Sequence, residues 1–175
     1  LLDFGGVIFQ TSKLESGREL LVKELQLALT RAGFKISSEE LHANLEAGTT
    51  ALKDWKNSTS RLYAPTELNH RQIIVDYLFS ELPEGPREFL AAEATHWLMR
   101  RNQIISTHTV RDGIPELLER CKADGIKLGI VSNAHSGVSH RDLLARAGLD
   151  HYFGVQVYSD EVGIRKPNPE MIHLA

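Results

Sequence analysis

The sequence predicts an α/β fold, a parallel sheet whose first strand is followed by a long, purely helical insertion. Three observations predict it. An apolar strand-like run opens the chain and ends in an acid and two glycines, Asp3-Phe4-Gly5-Gly6. Residues from about 14 to 105 carry helical periodicity only. From about residue 112 onward, helical and strand patterns alternate, which implies parallel strands joined by right-handed crossovers.

The elements follow in order. Residues 1–9 read as a buried strand ending in a glycine-opened turn. In the helical block, Ser37 and Glu40 form a capping box, and Gly33 and Gly48 read as helix stops. Ile73, Ile74, Tyr77 and Leu78 keep a 3–4 spacing. Pro86 suits the first turn of one helix running through Phe89, Leu90, Ala94, Trp97 and Leu98. Residues 115–122 form an amphipathic helix closed by Asp124-Gly125. A short apolar strand over 127–131 finishes at Ser132-Asn133. Residues 138–147 are helical up to Gly148, and residues 155–158 form a further strand. The block 1–13 with 106–175 is thus the α/β part, and 14–105 the helical part.

Composition narrows the function classes. The 175 residues are 42% hydrophobic and 25% charged, ordinary for a soluble globular chain with one core and a modest insertion. A formal charge of −3 without a Lys/Arg block argues against nucleic acid as a partner. No apolar run approaches the roughly 20 residues that span a bilayer, so no membrane partner is expected. No signal peptide is evident, and one cysteine, Cys121, excludes an internal disulfide. These features fit a cytoplasmic setting. Oligomeric state is not legible.

Three strand ends carry the chemistry. Asp3 ends the first strand, Ser132-Asn133 the second, and Lys166 follows the third in Gly163-Ile164-Arg165-Lys166-Pro167-Asn168-Pro169. Strand ends of a parallel sheet share one edge, where open α/β sheets bind ligands. Asp3 alone could be a nucleophile, a metal ligand or a turn cap. Ser132-Asn133 alone could be turn chemistry, and Lys166 a solvated charge. Together an acid, a hydroxyl with an amide, and a lysine make an anion site suited to phosphoryl transfer.

These motifs resemble the haloacid dehalogenase-like hydrolase superfamily, most of whose members are phosphatases. Its first motif, Asp-x-Asp-x-Thr/Val after an apolar strand, is similar to Asp3-Phe4-Gly5-Gly6-Val7. Its second is similar to Leu128-Gly129-Ile130-Val131-Ser132-Asn133, and its third to Arg165-Lys166-Pro167-Asn168-Pro169. Residues 110–118 resemble the segment preceding the second motif. The resemblance covers 1–10 and about 108–175, and implies a Rossmann-like core with residues 14–105 as an inserted helical cap.

The resemblance also implies roles. Asp3 would be the nucleophile of a phosphomonoesterase, forming an aspartyl-phosphate from a small phosphorylated substrate. Ser132 would bind the phosphoryl group, with Gly6 and Asn133 beside it, and Lys166 would stabilise Asp3 and that group. Mg²⁺ would sit on the Asp3 carboxylate and the Gly5 backbone carbonyl. The chain departs from the pattern at Gly5, where phosphatases of the family carry the general acid/base Asp. His42, His70 and His96 are candidate proton donors from the cap, and Trp55, Trp97, Tyr63 and Arg61 candidate specificity residues. The family's fourth, acidic motif is expected beyond Ala175, and Leu1 reads as mid-strand. The expectation is a fragment with weak or no hydrolysis from residues 1–175 alone.

Two other classes compete. A metal-independent 2-haloacid dehalogenase shares Asp, Ser and Lys and lacks the second Asp, but usually has an aromatic residue where Gly5 stands. A non-catalytic binding or regulatory module needs no acid at all. Asp3-Phe4-Gly5 also spells the protein-kinase metal triplet, but no glycine-rich loop, strand lysine or catalytic-loop signature accompanies it.

Overall fold

The computed structural model describes residues 1–175. The elements are β1 (Phe9–Lys13), α1 (Gly17–Arg31), α2 (Ser38–Thr59), α3 (His70–Gln72), α4 (Glu84–Ala92), α5 (Ala94–Ile105) and β2 (Ser106–Val110). They continue with α6 (Ile114–Ala123), β3 (Leu128–Ser132), α7 (Gly137–Arg146), β4 (Phe153–Tyr158), α8 (Ser159–Val162) and α9 (Glu170–His173). The chain forms two compact units. One holds Leu1–Ser12, Tyr63–Glu67 and Thr107–Ala175; the other holds Lys13–Leu62 and Leu68–Ser106. The short segment Tyr63–Glu67 therefore groups with the α/β unit, although it lies within the stretch expected to be wholly helical.

In the α/β unit, β3 and β4 pair in parallel, with Ser132 opposite Tyr158 at the carboxyl end. The opening run adds a third parallel position through one bridge, Leu2 to Ile130, made by Leu2 N–H to Gly129 O and Val131 N–H to Leu2 O, both 2.9 Å. Alternation along β3 sends Ile130 into one apolar cluster, with Phe4, Ile8 and Leu118, and Val131 into another, with Val157 and Met171. The strand expected over 1–9 is shorter than its apolar pattern suggests. After Asp3 the chain turns, Gly6 taking φ 76°, and a new strand begins at Phe9. Glycine completes this reversal cheaply because it lacks the Cβ that penalises positive φ. β1 pairs with β2 rather than with β3.

The helical unit is built on amphipathic repeats. Leu21, Leu25 and Leu29 from α1 meet Leu41 and Leu45 from α2 and the buried Ile73-Ile74 pair. Each such fully buried side chain contributes about 1.5–3 kcal/mol relative to exposure. The Ser37 capping box forms as expected: Ser37 Oγ accepts from Glu40 N–H at 3.1 Å, and the Glu40 carboxylate accepts from Ser37 N–H at 2.9 Å. These bonds hold the Glu40 carboxyl below its ordinary pKa. After α3 the chain continues as a π-helix over Ile73–Leu78.

Two readings within the helices are corrected. Gly48 is not a stop but lies inside α2, where a Cβ would stand 2.3 Å from the Tyr77 carbonyl oxygen. Its lack of a side chain serves close packing. The single helix expected through Pro86 and Leu98 is two, α4 and α5, separated at Glu93 (φ −112°, ψ 31°). Gly33, Gly125 and Gly148 do follow helices, each with φ between 67° and 87°.

Candidate active site

Leu2 pairs with β3, so Asp3 is the first residue past a strand end, beside the end of β3. Its Oδ1 accepts a hydrogen bond from Phe4 N–H at 2.8 Å and lies 2.9 Å from Lys166 Nζ. Lys166 Nζ also donates to the Val131 carbonyl at 3.0 Å. The ammonium is thus held between the end of one strand and the acid of another. Asp3 Oδ2 accepts no hydrogen bond, which leaves one carboxylate oxygen open.

Asn133 fixes Lys166 from the backbone side. Its Oδ1 accepts from Lys166 N–H at 2.7 Å and its Nδ2 donates to Lys166 O at 3.1 Å. The amide expected near substrate is occupied in positioning the lysine. The Lys166–Pro167 peptide is cis. Ser132 ends β3 and is buried, and its hydroxyl takes no partner within the chain. Gly6 donates its N–H to Phe9 O at 2.8 Å, and its carbonyl accepts from the Arg111 guanidinium.

Gly5 borders a depression of about 510 Å³ lined also by Gly6, Gln10, Thr11 and Arg111. A Cβ built on Gly5 would meet nothing within 4 Å. The position is therefore open, and its glycine is not enforced by crowding. The structure puts no acid there.

Several neighbours escape sequence reasoning. Arg165 and Glu67 form a buried ion pair at 3.4 Å, with side chains only 4% and 1% exposed. Ser159 Oγ lies 2.6 Å from the other Glu67 oxygen and accepts from Ala134 N–H at 2.9 Å. Burial pulls the Arg165 pKa down, and the Glu67 charge opposes it. This network braces the residue just before Lys166. His140 stacks on Phe4, ring centroids 3.9 Å apart and planes 8° apart. Burial drives its pKa down to about 4; the His108 charge adds to this, while the Asp160 and Asp3 charges oppose it. Arginine before a motif lysine, and a histidine on a helix, carry no spacing signal that would single them out.

His42, His70 and His96 all lie in the helical unit. His70 Nδ1 and Thr95 Oγ1 are hydrogen-bonded at 2.7 Å, and His96 packs edge-on to Trp97. Trp55 packs edge-on to Tyr77 in the same unit, whereas Tyr63 belongs to the α/β unit and is largely exposed.

No group of three or more His, Cys, Asp or Glu side chains could hold a metal. The oxygens present still suit Mg²⁺. The Asp3 carboxylate has two oxygens, so one can face a cation while Oδ2 stays open, and the Gly5 carbonyl accepts no backbone hydrogen bond. Both are hard donors, and Mg²⁺ commonly takes one or two carboxylates and keeps several waters.

The chain is similar to known proteins over nearly its whole length. A glyceraldehyde 3-phosphate phosphatase of Methanopyrus kandleri (strain AV19) is 26% identical over 182 residues, covering 98% of this chain. The chain spans 65% of that relative's length. The 2-haloacid dehalogenase of Pseudomonas syringae pv. Tomato DC3000 superposes with a TM-score of 0.54 at 19% identity, covering 98% of this chain and 68% of that one. The magnesium-bound HAD-hydrolase YfnB of Bacillus subtilis gives 0.50 at 16% identity, covering 98% and 67%. At such identities the structures speak for the fold alone, a Rossmann-like α/β core carrying helices. The sequence match reaches further, because the family model for haloacid dehalogenase-like hydrolases aligns with residues 1–175. A strand-end aspartate paired with a lysine from far along the chain is thus set in a whole-length match, and the chain belongs to the haloacid dehalogenase-like hydrolases.

Proposed function

We propose that this protein is a Mg²⁺-dependent phosphomonoesterase that acts on a small phosphorylated metabolite through an aspartyl-phosphate at Asp3. The observation that carries the reading is the Asp3–Lys166 contact at 2.9 Å beside an open Asp3 oxygen. That oxygen is available to attack phosphorus in line with the leaving oxygen, whose bond to phosphorus breaks. Lys166 pairs with the Asp3 carboxylate at the start and faces the negative charge that gathers on the phosphoryl oxygens. The unpartnered Ser132 hydroxyl is a donor for the same group. Mg²⁺ held by Asp3 and the Gly5 carbonyl would supply further neutralisation of phosphoryl charge.

The open space at Gly5 sets the limit. General acid–base catalysis contributes about 10²–10⁴-fold, and no carboxyl stands there to protonate the leaving oxygen. The departing oxygen therefore takes its proton from water or from a neighbouring group of the substrate itself, which favours leaving groups of low basicity. The related glyceraldehyde 3-phosphate phosphatase supports the phosphate-ester class.

The open Gly5 position also favours a second reading. A metal-independent 2-haloacid dehalogenase needs only the Asp3, Ser132 and Lys166 set, with Asp3 attacking carbon and halide departing without a proton. A screen of phosphate esters and 2-haloacids, each with and without Mg²⁺, separates the two. Phosphate release that needs Mg²⁺ supports the proposal. Halide release without metal overturns it, and release of neither indicates a non-catalytic module.

A further inference from the structure

A cavity of about 470 Å³ lies wholly inside the helical unit and includes no residue of the α/β unit. Three helical stripes build it. Arg18 and Leu21 come from α1, Leu45, Thr49 and Lys53 from α2 at steps of four, and Arg101 and Ile105 from α5. Each helix thus brings at least one apolar side chain and one cation to the same space. Lys13 adds a fourth cation at its margin, and no acid lines it.

The charge is poorly compensated. Arg18 has a long contact to Glu46, 3.8 Å, and Glu46 is largely solvated. Arg101 is half-buried, and its guanidinium reaches only the Thr49 hydroxyl, at 3.3 Å. A neutral hydroxyl satisfies one donor of five and none of the charge. Burial, with the nearby Arg18 charge, pulls the Arg101 pKa below its ordinary value. A half-buried guanidinium beside a like charge, with no acid facing it, gains from the arrival of an anion. The size falls within the range of small-molecule pockets, about 300–1,000 Å³. The apolar residues Leu21, Leu45 and Ile105 would suit a hydrocarbon body and exclude a bare inorganic ion as the best fit.

We propose that this cavity is a binding site for an amphipathic organic anion, a carboxylate or phosphate head paired with Arg101 and a short apolar body against Leu21, Leu45 and Ile105. Arg101 would engage the head through two parallel N–H donors, the geometry that favours arginine for oxyanions. Lys53 and Lys13 stand at the rim as steering charges. The site does not depend on the catalytic role assigned to Asp3.

Isothermal titration calorimetry of the protein with hexanoate, hexyl phosphate, acetate and 1-hexanol tests it, the first two distinguishing carboxylate from phosphate heads. One or both six-carbon anions should bind saturably, one per chain. Acetate and 1-hexanol should each bind at least about tenfold more weakly. R101Q should lose at least about tenfold in affinity and, without ligand, unfold at a higher temperature than the parent, because an unpaired charge is removed. K53Q, an exposed substitution that leaves the fold intact, should weaken binding about threefold. K166M should bind hexanoate as the parent does, which separates this cavity from the Asp3 site. Absence of saturable binding by both anions, equal binding of 1-hexanol, unchanged affinity in R101Q, or loss of hexanoate binding in K166M overturns the proposal.

Discussion

Lys166 Nζ stands 2.9 Å from Asp3 Oδ1 and 3.0 Å from the Val131 carbonyl, so one ammonium joins the acid of the first strand to the end of β3. Removing the charge while keeping the chain length should expose what it does. K166M should lower turnover on a phosphate ester by about 10²–10³-fold, the range seen when a charge-stabilising group is lost. The fold should persist, because the pair is partly solvated and contributes little to stability. Steady-state kinetics with circular dichroism as a fold control checks this.

Asn133 holds Lys166 by two backbone hydrogen bonds. N133A should cost about 1–3 kcal/mol of stability, measured by urea unfolding. It should also lower kcat more than it raises KM, because the lysine loses its set position rather than its charge. Equal loss in N133A and K166M would mean that Asn133 itself touches substrate.

The Glu67–Arg165 pair is almost fully enclosed. E67Q leaves a buried guanidinium facing a neutral amide and should destabilise by about 3–5 kcal/mol. E67L with R165M should recover most of that loss, since an apolar pair of similar volume replaces two desolvated charges. Chemical denaturation of the single and double variants decides it.

His140 gives the protein an acid-sensitive step. Its folded pKa of about 4 lies below the ordinary 6.5, so between those values the unfolded chain takes up a proton that the folded one refuses. This contribution is constant above pH 6.5 and is lost as pH falls toward 4. Stability should therefore drop by about 2 kcal/mol between pH 7.5 and pH 5 from this residue alone. H140Q should flatten that part of the urea-unfolding pH profile.

Gly48 lets α2 approach the Tyr77 backbone. G48A, normally favourable in a helix by about 1 kcal/mol, should here destabilise by about 1–3 kcal/mol through overpacking. A raised melting temperature in G48A would contradict the close contact.

Residues that act through local order are legible in the sequence. Asp3 and Ser132 each end an apolar run, which a parallel sheet carries to one edge, whereas Lys166 is marked by the Arg-Lys-Pro-Asn-Pro loop after the next strand. The capping box at Ser37 is legible because both partners lie within one turn. Gly48 is not, because a stop and a close-contact glycine look alike in sequence, and only Tyr77 from another segment distinguishes them. The first strand reads too long because Phe4, Ile8 and Phe9 are as buried in a turn and a new strand as they would be in one continuous strand. Glu67 and Arg165 are brought together by a bridge between Thr66 and Ile164, a pairing with no local signature. The stacking of His140 on Phe4 is likewise a product of packing between distant segments.

The nucleophilic role of Asp3 is tested most directly by mass spectrometry of the peptide that contains it, after the protein is mixed with a turned-over phosphate ester and quenched in acid. A phosphoryl group is expected on Asp3, absent from D3N and accumulating when water attack is slow. Phosphate release with no adduct on that peptide, or undiminished turnover in D3N, would contradict that role.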